Sequence, residues 1–270
     1  PEHRKWENLP VNPTEFINAI TQDASGNLWF VSRYGVASRK EGDHFVHYRP
    51  DPADNSSLTL REDARWEGVV TLSAEISERL VLKDQMGTMW INSGKEILDL
   101  YDPEADGFYH LDYTEPGSYN KEHPVKWKPG QERLLPTARG LLRISGPLMK
   151  REDFQLVPGH TMLYTHDPQD TFSISSDHVQ DVLVSKHYQP GTIWIATMGG
   201  GLNRLEIVHD EAEQVSRLRF HSYSESDGLC DNSVMGILED TLGCLWLGTH
   251  NGLARFDPST GIFNNYYEID

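Results

Sequence analysis

Asp240-Thr241-Leu242-Gly243-Cys244-Leu245-Trp246-Leu247 decides the fold, because the same pattern returns elsewhere in the chain. It stands again as Asp23-Ala24-Ser25-Gly26-Asn27-Leu28-Trp29-Phe30 and as Asp84-Gln85-Met86-Gly87-Thr88-Met89-Trp90-Ile91. Pro190-Gly191-Thr192-Ile193-Trp194-Ile195 keeps all but the Asp, and a worn copy runs from Gly130-Gln131-Glu132-Arg133-Leu134-Leu135 to Thr137-Ala138-Arg139-Gly140-Leu141. Taking Trp29, Trp90, Leu134, Trp194 and Trp246 as equivalent points, the spacings are 61, 44, 60 and 52 residues. Self-similarity at such a period marks a repeat architecture. These lengths suit one four-stranded propeller blade per copy, with insertions at 51–79 and 145–178.

Each copy reads as four short strands. An apolar run such as Val179 to Val184 or Val234 to Leu238 leads into the acidic turn and the Trp strand. A third strand such as Leu253-Ala254-Arg255-Phe256 and a fourth such as Phe45-Val46-His47-Tyr48 or Phe263 to Tyr267 follow. The connectors hold turn chemistry, as in Asp257-Pro258-Ser259-Thr260-Gly261. The Trp strands are apolar on consecutive residues, as in Ile193-Trp194-Ile195, where a sheet with one wet face would alternate. Both faces must therefore be covered, and sheets stacked radially against their neighbours meet that demand. On this reading the repeated Trp is inter-blade packing. The repeated Asp accepts backbone N–H bonds in the turn, and the Gly supplies positive φ. The expected fold is an all-β propeller of about five four-stranded antiparallel blades in one domain over 1–270.

The pattern Asp-x-x-Gly-x-Leu-Trp-Ile-x-Thr-x-x-Gly-Leu-x-Arg-Phe-Asp-Pro-x-Thr-Gly-x-Phe, nearly complete from Asp240 to Phe263, resembles the two-component regulator propeller repeat. The resemblance is strong in the first, fourth and fifth copies. It implies large rings, often of seven blades, that form the extracytoplasmic sensing region of hybrid histidine kinases responding to carbohydrate. It also implies a periplasmic or extracellular location, with the remaining blades and signalling domains of a longer chain, or a second copy, as partners. Five copies fall short of seven, and His3-Arg4-Lys5-Trp6 resembles the fourth strand of a preceding blade. The expectation is part of a larger ring, with a closed five-bladed propeller as the alternative.

Composition narrows the function. The formal net charge is -17, with 41 acidic residues against 24 Lys and Arg, which disfavours a nucleic-acid partner because phosphate binding needs a basic stripe. No apolar run approaches the 18 residues of a membrane span. Cys230 and Cys244 are too few for a disulfide scaffold and lack zinc spacing. His44 and His47 fall on opposite faces of a strand, so no metal and no cofactor is expected.

Ligands of propellers bind where the loops between strands two and three open on one face. Those loops carry Arg33 and Tyr34, Ser93 and Lys95, Arg139, Met198, and His250 and Asn251. On an acidic protein, a local group of Arg33, Lys95, Arg139 and His250 suits a carboxylate or sulfate, and Tyr34 offers a sugar-stacking surface. The ligand expected is an oligosaccharide, acidic in character, or another small molecule. Asp177, His178, Asp231 and Asn232, where the chain enters two of the blades, are weaker candidates for the same rim. A carbohydrate-active enzyme is the rival class, and it needs converging carboxylates. The sequence offers only scattered acids such as Asp177, Asp181, Glu62, Asp63 and Glu67, and no nucleophile elbow, so no catalytic residue is assigned. A protein-binding scaffold is a third reading.

Overall fold

The computed structural model describes residues 17–59, 81–118 and 132–267, apart from 24, 33–36, 42, 43, 52, 85–87, 95, 114–116 and 211–214. Within these residues lie five four-stranded sheets. The first is a meander of β1 (Ile17–Gln22), β2 (Leu28–Ser32), β3 (Ala37–Glu41) and β4 (His44–Tyr48), and the second one of β5 (Val81–Lys83), β6 (Met89–Gly94), β7 (Ile97–Asp102) and β8 (Gly107–Asp112). The third combines β9 (Gly117–Ser118), β10 (Glu132–Thr137), β11 (Gly140–Ser145) and β14 (His160–Tyr164) in the order β10-β11-β14-β9. Its outer strand comes from upstream and lies parallel to β14, unlike the antiparallel pairing elsewhere in the blades. Between β11 and β14 the chain makes a small hairpin, β12 (Met149–Lys150) and β13 (Leu156–Val157). The fourth sheet is β15 (Val179–Val184), β16 (Ile193–Thr197), β17 (Gly201–Asp210) and β18 (Val215–Tyr223). The fifth is β19 (Val234–Glu239), β20 (Leu245–Thr249), β21 (Gly252–Asp257) and β22 (Ile262–Tyr266). The architecture is the all-β propeller expected from the repeat.

The sheets group into two compact units, one holding the first two sheets with the β12–β13 hairpin and the other the last three. In the first unit, Trp29, Val31 and Ala37 pack against Met89, Ile91 and Phe108 of the next sheet. In the second unit, Leu134, Leu141, Met162 and Tyr164 meet Ile193, Ile195, Leu205 and Phe220. The opposite face of that fourth sheet, with Trp194, Ala196 and Leu202, meets Ile237, Leu245, Leu247, Ala254 and Phe256. This is why Ile193-Trp194-Ile195 is apolar throughout: the two isoleucines and the Trp serve different neighbours. Trp29, Trp90 and Trp194 are fully buried, and burial of such rings dominates the energetics of a core.

The repeated Asp performs two tasks. Asp23 Oδ1 accepts the Ser25 and Asn27 amides while its Oδ2 accepts the Trp29 indole N–H at 2.8 Å. Asp240 does the same for Leu242, Cys244 and Trp246, and Asp84 for Thr88 and Trp90. The fourth copy has a different solution. The backbone bond that Asp240 N makes to Cys244 O is made there by Ser185 N to Thr192 O, so Ser185 stands in the Asp position and the turn is three residues longer. Glu239 of the fifth sheet caps this longer turn, accepting from Ser185 Oγ and from the amides of Lys186 and Tyr188. Trp194 Nε1 has no hydrogen-bond partner among the described residues.

Candidate functional site

The turns between second and third strands are built alike in the second unit. Thr137, Thr197 and Thr249 each donate their hydroxyl to the carbonyl of the glycine that opens the next strand, Gly140, Gly201 and Gly252. Thr137 and Thr249 also accept the amides of Arg139 and Asn251. The glycines are obligatory. All three have positive φ, and a Cβ on them would lie 2.3, 2.2 and 2.5 Å from the carbonyl oxygens of Tyr164, Tyr223 and Tyr266. Threonine and glycine thus fix the turn, and the residues between them are displayed.

Those displayed residues are the ones the sequence singles out. Arg139, His250 and Asn251 are exposed and Met198 is half-buried; on successive sheets of one unit, Met198 and His250 directly follow the turn threonine, and Arg139 and Asn251 stand next but one after it. Arg33, Tyr34 and Lys95 lie outside the described residues, as do Glu62, Asp63 and Glu67. The chain segments entering the blades pin these turns from behind: His178 O accepts the Met198 amide, Asn232 O that of Gly201, and Ser233 O that of His250. Asn232 is itself tied to Glu225 by reciprocal bonds. It serves as a brace for the rim.

Two of the scattered acids have structural employment. Asp181 accepts the Ile237 amide at 3.0 Å, linking the fourth and fifth sheets, and Asp177 accepts the His166 amide. Among the described residues no group of three or more His, Cys, Asp or Glu side chains could hold a metal. A polar cleft of about 410 Å³ in the first unit is lined by His47, Arg49, Asp51, Asp54, Ser57 and Asp106 among others. Asp51 and Asp54 turn their carboxylates to the amides of Ala53 and Ser56 in their own loop.

That loop belongs to a second repeat that sequence reading passed over. Asp51-Pro52-Ala53-Asp54-Asn55-Ser56-Ser57-Leu58 and Asp167-Pro168-Gln169-Asp170-Thr171-Phe172-Ser173-Ile174 lie in the two segments expected to be insertions. They make matching bonds. Ser57 Oγ accepts the Asp51 amide and donates to its carbonyl, and Ser173 does both to Asp167. Ser56 O accepts the Phe108 amide and Phe172 O that of Phe220. Leu58 and Ile174 are buried in the cores of their respective units. The next residues, Thr59 and Ser175, donate their amides to Asp99 and Asn203. The loop is a clamp that wedges an aliphatic side chain between two sheets.

The fold and site define a repeat propeller whose described strand-two to strand-three turns in the second unit share a threonine and glycine frame and differ at their tips. Residues 228–251 match the two component regulator propeller family, so the chain carries that repeat, as the resemblance implied. A 47-residue stretch is 45% identical to Histidine kinase P4 of Formosa agariphila, covering 17% of this chain and 3% of that protein. Two solved structures from B. thetaiotaomicron share the fold. One, described as the extracellular domain of a one component system, aligns at a TM-score of 0.58 and 15% identity over 95% of this chain and 31% of its own. The other, from a hybrid two component system, aligns at 0.53 and 17% over 93% and 28%. The chain spans less than a third of the length of each. Among the described residues no helix is long and apolar enough to cross a membrane.

Proposed function

We propose that this chain is part of a ligand-sensing propeller of a two-component receptor, extracytoplasmic in location, and that it binds an acidic oligosaccharide at the strand-two to strand-three turn tips. The observation that carries this reading is the division of labour in those turns. Thr137, Thr197, Thr249 and their glycines are spent on the turn itself, while Arg139, Met198, His250 and Asn251 are held at its tip. A guanidinium displayed there on a chain of net charge -17 is a local cationic point suited to carboxylate or sulfate. The similar structures are extracellular domains of one and two component systems and the matching relative is a histidine kinase, which supports a sensing role. Asp177 and Asp181, the acids nearest the entering strands, hold backbone amides, which weighs against catalysis by them.

The test is a screen of neutral, carboxylated and sulfated oligosaccharides, with a hydrolysis assay on the same sugars. The expected result is binding of an acidic member without cleavage, weakened about tenfold or more by Arg139→Ala with Asn251→Ala at unchanged melting temperature. Unaltered affinity in that double variant overturns the assignment of the site. Released product assigns the chain to the enzyme class instead.

A further inference from the structure

One face of the fifth sheet has the composition of a buried face but is exposed. By register, Leu238 pairs with Trp246, Trp246 with Arg255, and Leu253 with Tyr266, so these side chains share one face. On the fourth sheet the equivalent positions are Leu183, Trp194, Arg204, Leu202 and Tyr223, paired in the same way. The apolar residue types are identical, position by position. Their environments differ: Leu202 and Trp194 are fully buried, whereas Leu253 is 39% exposed, Tyr266 51% and Leu238 73%. The third sheet repeats the Leu–Tyr pair as Leu141 and Tyr164, both buried under the fourth. What covers the fourth sheet is the Ile237, Leu245, Leu247, Ala254 and Phe256 face of the fifth, with Phe256 set edge-on to Trp194 at 5.9 Å. The fourth sheet covers the third with a face of the same kind, Ile193, Ile195, Leu205 and Phe220.

We infer that the Leu238–Trp246–Leu253–Tyr266 face is a docking surface for a further blade of this same repeat, presenting an aliphatic face with a central aromatic of the Leu245–Leu247–Phe256 type. The surface continues an interface that the chain already makes twice in its second unit. An exposed apolar patch of this kind marks an interaction site, and its pairing with a sheet face follows from residue-by-residue equivalence with two buried faces.

The experiment appends a second copy of residues 224–270 directly after Tyr266, the position equivalent to Tyr223, from which the chain enters the fifth sheet. Accessibility is read from the labelling rate of a thiol introduced by Leu238→Cys or Leu253→Cys. Leu242→Cys serves as the control, since Leu242 is 81% exposed in the β19–β20 turn and off the face. The expected result is at least a tenfold slowing at positions 238 and 253, with position 242 unchanged. A second fusion, appending residues 165–223 instead, presents the Ile193–Leu205–Phe220 face and should give the same slowing. Unchanged rates overturn the inference, as does an appended blade that stays unfolded in both fusions. Slow labelling in the chain without an appended blade also overturns it: concentration-dependent protection assigns the face to a second copy, and concentration-independent protection to the chain itself.

Discussion

His110 Nδ1 lies 2.7 Å from the Asp99 carboxylate on the paired strands β7 and β8, while its Nε2 lies 2.8 Å from the Asn55 carbonyl. Both ring nitrogens face acceptors, which favours the imidazolium. Burial works to lower the His110 pKa, but the hydrogen bond and charge of Asp99 outweigh it and hold the pKa above its ordinary value of 6.5. A raised folded pKa means that the contribution is fully present below 6.5 and fades as pH rises through the folded value. The clamp loop carrying Asn55 and Thr59 should therefore loosen on the alkaline side. Amide exchange of the Thr59 N–H, which Asp99 accepts, should speed up as pH rises through that range once intrinsic exchange is divided out.

The second clamp shows how to remove this pH dependence. Where the first has Asp99 opposite His110, the second has Asn203 opposite Ser222. Asn203 accepts the Ser175 amide and donates to the Ser175 hydroxyl, so the same loop is held by neutral groups. His110→Ala alone should cost about 3 kcal/mol, because it removes the imidazole hydrogen bond to the buried Asp99 carboxylate. The double variant Asp99→Asn, His110→Ser should recover most of that and flatten the pH profile. Thermal melting at several pH values measures both.

The contrast between these clamps shows what was legible in the sequence. Asp, Gly and Trp could be read because they recur at fixed spacing and serve the turn and the core in the same way each time. The clamps escaped because they occur before alternate blades, more than a hundred residues apart, and match mainly at the Asp, Pro and Ser positions that form bonds. Ser185 escaped because a lengthened turn moved it out of step with the Gly and Trp. β9 is two residues pairing parallel from upstream, with no local pattern to betray it. At the site, the turn positions followed from the repeat, while the ligand depends on variable residues that no period constrains.

The missing Asp in the fourth copy predicts a difference between tryptophans. Trp90 and Trp194 are both fully buried, but Trp90 donates its indole N–H to Asp84 and Trp194 donates to no described residue. Replacing Trp by Phe removes the same volume at each site. At Trp90 it also abolishes a bond to a charged acceptor, a loss of about 1.5–3 kcal/mol, whereas at Trp194 it removes an orphan donor. Trp194→Phe should therefore be the milder change by at least about 1 kcal/mol in denaturant unfolding. Equal losses would mean that the Asp–indole bond contributes nothing.

In the third sheet the repeat has traded its aromatic for charge. Leu134 stands in the Trp position, opposite Arg143 where the first and fifth copies set Trp29 against Arg39 and Trp246 against Arg255. Arg143 Nε donates to Glu132 at 2.9 Å, and both side chains are 3% exposed. A buried pair loses its hydration, so removing one partner is far worse than removing both. Glu132→Gln should cost about 3–5 kcal/mol, and Glu132→Leu, Arg143→Met together should cost less than Glu132→Gln alone. A double variant as damaged as the single would show that the pair is needed for more than mutual neutralisation.

Glu239 makes the contact between the fourth and fifth sheets sensitive to acid. Burial works to raise its pKa, but the Ser185 hydroxyl and the amides of Tyr188, Lys186 and His187 outweigh it and hold the carboxyl below its ordinary 4.5. Three amides of one turn converge on this carboxylate, which replaces the turn-capping role that Asp240 performs within its own strand pair. A depressed folded pKa contributes stability that is present above 4.5 and lost as pH falls through the folded value. Protonation or Glu239→Gln leaves an acceptor but removes the charge that favours several donors at once. The variant should be less stable than the parent at neutral pH, and the difference should shrink on the acid side below the ordinary carboxylate range. Melting curves of both proteins from neutral to acid pH measure the convergence. If the difference stays constant across that range, the cap acts by geometry alone and its charge is irrelevant.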